Sequence, residues 1–284
     1  MPALVASLVV MLGAQITKNQ ELKANFRGVM AFSGAIGPSA VYQGCMDMAS
    51  QRKLVPQDIL NIMRAGMNIC RAALAECNSN GPGKPAAKDK CLNAVKLCDS
   101  ATVTQLRKTP RSIYDVRTED GRESRFYKFN PGNVEKLLNR KNVQDELGVA
   151  KSFQMQNDHV FSDFRPYAAY DTTYFVNELL DQGMKVFILN GAEDFVTNYG
   201  GTEKWVFSLN GQINYGSKLS SSLRRTLQFP RVGVFGKYYR YSFANGAHLA
   251  VINVINSGHD MILDAPEGMQ QAFNSFLSGQ LWQG

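Results

Sequence analysis

No apolar run in the 284-residue chain is long enough to cross a bilayer. The nearest candidate, residues 2–14 (PALVASLVVMLGA), also lacks the form of a secretion signal. No cationic residue precedes it, and Pro2 stands where the basic n-region belongs. It reads as the buried helix of a domain that begins upstream, followed by a polar stretch over 15–23. Nucleic-acid motifs are missing as well. The basic excess, 31 Lys and Arg against 24 Asp and Glu for a net charge of +7, is spread over Arg107-Lys108, Lys136 with Arg140-Lys141, and Arg224-Arg225. Short scattered clusters of this kind describe a solvated surface, so neither a nucleic acid nor a membrane is expected as partner. No Asn-x-Ser/Thr triplet offers a glycosylation acceptor, and no internal repeat is present. Only three histidines occur, and two of them, His159 and His248, have no partner context and read as surface or hairpin residues.

What is present is ordinary for a globular chain, 44% hydrophobic and 10% aromatic, with length enough for a substantial core. The most informative stretch is 185–199, KVFILNGAEDFVTNY. Its run Val186-Phe187-Ile188-Leu189, bounded by Gly183 and Gly191, reads as a strand buried on both faces in a parallel sheet. It delivers Glu193 and Asp194 at the strand's carboxyl end, where open α/β sheets place their chemistry.

A second buried strand is expected within 28–34 (GVMAFSG), ending in the turn AIGPS. From about 41 to 163 strand patterns give way to helical periodicity, as in a helical insertion between strands of one sheet. Two helical segments, 56–76 and 91–100, flank a Gly- and Pro-rich loop over 78–90. Four cysteines mirror each other across it, Cys70 and Cys77 before, Cys91 and Cys98 after. Residues seven apart share a helix face, so two antiparallel helices would pair Cys70 with Cys98 and Cys77 with Cys91. Zinc fits the spacing poorly. Reduced core cysteines are the alternative, and disulfides would imply an oxidising compartment. Cys45 is left free or paired outside the chain.

Further on, 171–183 reads as a helix with Phe175, Leu179 and Leu180 on one face, and 200–209 as a helix carrying Trp205. Strands are expected over 237–243 and 249–253, joined at Asn245-Gly246, a hairpin signal. The second leads out to His259. A last helix starts near Pro266, with Met269, Ala272, Phe273, Phe276 and Leu277 as its buried stripe and Gly279 as its end. Met155 and the aromatics over 161–170 read by default as core, with a place in the cleft wall as the alternative.

A strand-end Asp194 followed by a strand-end His259 before a C-terminal helix is the acid–base tail of an α/β-hydrolase. GAEDFVTNYGGTEKW, with Asp194, Asn198, Gly201 and Trp205, resembles the aspartate segment of the serine carboxypeptidase family. SGHDMILDAPE, with His259, Asp264, Pro266 and Glu267, resembles its histidine segment. PALVASLV is similar to the helix after the family's nucleophile, FSGAIGPS to the next strand and turn, and the mirrored cysteines fall in its disulfide-bonded insertion. The resemblance implies an α/β-hydrolase-type central sheet, incomplete at its N-terminus, over 1–40 and 166–284. A helical cap would occupy 41–165. It also implies release of C-terminal residues from peptide or protein C-termini, no cofactor or metal, and a vacuolar, lysosomal or extracellular setting. Some family members perform acyl transfer instead.

No Gly-x-Ser-x-Gly occurs in the chain. The family's nucleophile elbow, its Asn-Gly-Gly-Pro-Gly oxyanion segment and its carboxylate-binding residues would all lie upstream. The chain alone is therefore expected to be inactive, or to act by binding. An exposed sheet edge would invite pairing, with a second copy included. Ala31-Phe32-Ser33-Gly34-Ala35 imitates an elbow, but no helix is expected after it, which sets Ser33 aside as nucleophile. Two departures stand inside the matched segments. Asp260 replaces the family's apolar residue after the histidine, which would favour the charged imidazole and crowd the substrate pocket. Ala192 replaces an acid before the aspartate.

Overall fold

The computed structural model describes residues 2–19, 21–22, 25–81, 83–119, 131–155 and 157–283. The end of the expected polar stretch 15–23, one residue of the 78–90 loop, and 120–130 and 156 of the expected cap lie outside the described residues. The chain opens with helix α1 (Pro2–Lys18), which runs four residues beyond the expected apolar stretch, and then enters strand β1 (Gly28–Phe32). The strand β2 (Lys185–Gly191) follows only after a long helical passage. Three further strands, β3 (Arg225–Phe229), β4 (Gly233–Ser242) and β5 (His248–Val254), complete a sheet of order β1-β2-β5-β4-β3. β1 and β5 both pair parallel to β2, and β4 and β3 continue antiparallel.

Because side chains alternate along a strand, β2 feeds two cores. Val186 and Ile188 pack with Ala6, Val10 and Ala14 of α1, with helix α9 (Thr173–Asp181) and with helices α10 (Tyr199–Phe207) and α11 (Tyr215–Ser220). Phe187 and Leu189 point the other way, toward the last helices, α12 (Met261–Asp264) and α13 (Pro266–Ser278). The result is a three-layer α/β arrangement whose most buried strand, β2, lies inside the sheet between β1 and β5. Each of these four side chains is worth about 2 kcal/mol of burial, an upper figure since unfolded chains already hide some surface.

Between β1 and β2 the described residues form helices and one isolated bridge, Arg111 with Glu119. Helix α2 (Pro38–Gln51) packs on α10, while α3 (Gln57–Cys77) and α4 (Lys88–Ala101) lie against each other. The shorter helices α5 (Val103–Leu106), α6 (Pro131–Leu138), α7 (Lys141–Leu147) and α8 (Asp158–Phe164) follow. Disulfides join Cys70 to Cys98 and Cys77 to Cys91, each with Cα atoms 4.6 Å apart, as antiparallel helices require. Cys45 is buried and unbridged; its thiol donates to the Phe195 carbonyl at 3.0 Å.

Several expectations give way. A helix does follow Ser33, since α2 begins at Pro38. Strand β3 has no counterpart among the expected elements, because it is an outer strand with only Leu227 and Phe229 turned inward. On α13, Met269, Ala272 and Phe276 are buried, but Phe273 is 49% and Leu277 64% exposed. The sheet covers one side of that helix, and these two residues fall past its edge. Leu12 on α1 is 62% exposed for the same reason, and Met155, Phe164 and Tyr167 are surface residues rather than core.

Candidate active site

β2 and β5 run in register to their carboxyl ends, with Gly191 opposite Val254. Beyond that point the two loops stay together: Ala192 N donates to the Val254 carbonyl and Glu193 N to the Ser257 carbonyl, each at 2.9 Å. Gly191 allows this approach, since a Cβ there would stand 2.1 Å from the Gly258 carbonyl oxygen. One loop carries Asp194 and the other His259, and both are buried.

Asp194 Oδ2 lies 2.8 Å from His259 Nδ1. The same oxygen accepts from Thr197 Oγ1 at 2.5 Å, and Oδ1 accepts from Thr197 N at 3.2 Å. Burial alone pushes the His259 imidazole toward its neutral form. The charge and hydrogen bond of Asp194, joined by the charge of Asp260, outweigh that push and hold its pKa above the ordinary value. With Nδ1 protonated and directed at Asp194, Nε2 is the basic nitrogen.

The surroundings fix both loops. Asp264 Oδ2 accepts from Gly258 N at 2.7 Å, and Ser33 Oγ donates to the His259 main-chain carbonyl at 2.7 Å. Ser33 adopts φ 51° at the end of β1 and is fully buried. Its hydroxyl supports the His259 backbone, so in this structure Ser33 braces the loop that carries the imidazole. Asn198 caps α10 by accepting from Gly201 N (2.8 Å) and donates to the Val41 and Phe195 carbonyls. Trp205, on the same helix, is buried. Arg52 reaches Ala192's carbonyl and pairs with Glu193 at 2.5 Å. His159 is exposed, and His248 meets Ser242 Oγ at the hairpin.

Two contributors carry no readable signal in the sequence. Thr197, three residues past Asp194, is an ordinary loop threonine until its contacts are seen. Tyr114, whose ring centroid lies 5.3 Å from that of His259, comes from the helical region and has no motif around it.

A family model described as serine carboxypeptidase matches residues 3–279. Serine carboxypeptidase 3 of Oryza sativa subsp. japonica is 26% identical over 274 residues, covering 93% of this chain and 50% of that protein. A serine carboxypeptidase-like protein of Pisum sativum is 24% identical, covering 93% of this chain and 87% of its own length. The chain thus spans about half the length of the rice relative. A prohormone-processing carboxypeptidase from Saccharomyces cerevisiae superimposes with a TM-score of 0.65 at 14% identity, covering 95% of this chain and 58% of that one. That likeness concerns the fold, an α/β-hydrolase sheet with helices on both faces. With a match running through nearly every element from α1 to α13, the chain belongs to the serine carboxypeptidase family.

Proposed function

We propose that Asp194 and His259 are the acid and base of a serine-type carboxypeptidase that releases C-terminal residues from peptides. The 2.8 Å contact between Asp194 Oδ2 and His259 Nδ1, buried at the ends of adjacent parallel strands, carries this reading. His259 Nε2 would take the proton of a serine hydroxyl as its oxygen bonds to the scissile carbonyl carbon. The protonated ring would then return that proton to the leaving amine as the C–N bond breaks. Water, activated by the same nitrogen, would release the acyl group. Asp194 orients the ring and offsets its positive charge during each half-reaction. The serine would come from a Gly-x-Ser-x-Gly elbow outside these 284 residues, so the chain by itself is expected to lack turnover. Two disulfides favour an oxidising setting, a vacuole or the cell exterior.

The test is expression of the polypeptide encoded by the transcript together with its sequence 5′ of the Met1 codon. Release of C-terminal residues from N-blocked dipeptides is expected, abolished by a fluorophosphonate and by His259→Ala. Turnover that survives His259→Ala would overturn the assignment, as would fluorophosphonate labelling of any serine within the 284-residue chain alone.

A further inference from the structure

Besides the two loops and Ser33, a stretch of the helical region meets the Asp194–His259 pair. The main chain over 113–116 bonds to both loops. Phe195 N (3.2 Å) and Val196 N (3.3 Å) donate to the Ile113 carbonyl, and Val116 N donates to the Glu193 carbonyl (3.0 Å). On the other side His259 N donates to the Tyr114 carbonyl at 2.8 Å. Contact there is close enough that a Cβ on Gly258 would stand 2.5 Å from the Tyr114 carbonyl oxygen.

The bridging segment is shaped from within. Ser112 Oγ accepts from Tyr114 N (3.0 Å) and Asp115 N (3.3 Å). Asp115, 4% exposed, accepts from Arg117 N (3.0 Å), Nε (2.9 Å) and Nη2 (2.6 Å). Arg117 also lies in the field of two further carboxylates, Glu193 and Asp264. Each of the three acids comes from a different segment: Asp115 from the bridge, Glu193 from beside Asp194, and Asp264 from the group that holds Gly258 N. Hydrogen bonding to Asp115, with those charges, more than offsets partial burial and keeps the guanidinium firmly protonated.

We propose that Arg117, paired with Asp115, is a positioning residue that sets the distance between the Asp194 carboxylate and the His259 ring. The inference deepens the reading of that couple as a proton relay and rests on it for its meaning, while its test needs neither nucleophile nor substrate. A guanidinium fork fixes the angle of its partner as well as its distance, and a relay loosened by about an ångström loses much of its coupling.

Nitrogen-detected NMR titration of the His259 ring in the whole 284-residue chain decides it, with circular dichroism to monitor folding. Sign separates the alternatives. Loss of a nearby cation acting only through space would raise a histidine's titration midpoint. Loosening of the Asp194 contact would lower it, because burial is then less opposed. Arg117→Gln is expected to lower the midpoint by about one pH unit or more. Arg117→Lys, which keeps the charge but not the fork, should lower it by less. An unchanged or raised midpoint in folded Arg117→Gln overturns the proposal. Should that variant not fold, Arg117→Lys decides: a midpoint below wild type supports the role, and one at or above wild type rejects it. A longer polypeptide with no peptidase activity would refute the proposed function and leave this titration result intact.

Discussion

Thr197 closes on the Asp194 carboxylate from two directions, its amide meeting Oδ1 at 3.2 Å and its hydroxyl meeting Oδ2 at 2.5 Å. The turn that carries Asp194 is thus also what orients it, and the oxygen facing His259 is shared between two donors.

Removing that hydroxyl has a definite cost. Thr197→Val keeps the shape of the side chain and leaves a fully buried carboxylate with one donor fewer. Destabilisation of about 1.5–3 kcal/mol is expected in urea unfolding, the range for hydrogen bonds to charged groups. Thr197→Ser should recover most of it. A Thr197→Val chain as stable as wild type would show that the hydroxyl contributes nothing.

His259 makes stability depend on pH in one direction. Its folded pKa lies above the ordinary value of 6.5, because Asp194 and Asp260 outweigh burial. The folded state therefore binds the proton more tightly than the unfolded chain. This contribution is complete below about 6.5 and is lost as pH rises through the higher folded value. The thermal midpoint should fall across that window, and His259→Gln should flatten the fall. In Asp194→Asn the ring should titrate below its ordinary value, since burial then dominates; an NMR titration reads this directly.

The two disulfides should contribute comparable amounts. With sequence separations of 28 and 14, each constrains the unfolded chain by about 3 kcal/mol. Doubling the loop adds about 0.6 kcal/mol. Double alanine replacement of Cys70 and Cys98 should therefore cost slightly more than that of Cys77 and Cys91 in denaturant unfolding. The reverse order would show that packing around the bridges in the folded state outweighs the entropy of the unfolded loops.

The faces of α13 can be told apart by mutation. Phe276 is buried with its ring 6.0 Å from that of Phe187, so Phe276→Ala should cost about 3–5 kcal/mol. Leu277 next to it is exposed, and Leu277→Gln should stay within about 0.5 kcal/mol. Equal effects would contradict the packing described for this helix.

Much of this is readable from residues alone where the signal is local. An unbroken β-branched and aromatic run announces β2, Asn245-Gly246 announces the β4–β5 hairpin, and mirrored cysteines announce two antiparallel helices. Signals fail where a pattern fits two surfaces. The stripe on α13 can be drawn through Phe273 and Leu277 because a 3.6-residue period does not say how wide a face the sheet will cover. β3 escapes notice because an outer strand with exposed Arg225, Thr226 and Gln228 differs little from a polar loop.

By itself the sequence determined which groups arrive at the ends of β2 and β5, since strand length and turn residues are written in neighbouring positions. It could not determine their separation. The 2.8 Å between Asp194 and His259 depends on a backbone segment far away in the chain, on Ser33 beneath the histidine carbonyl, and on an arginine among three acids. Those contacts form only after the sheet has brought distant residues side by side, and no local periodicity encodes a meeting of that kind.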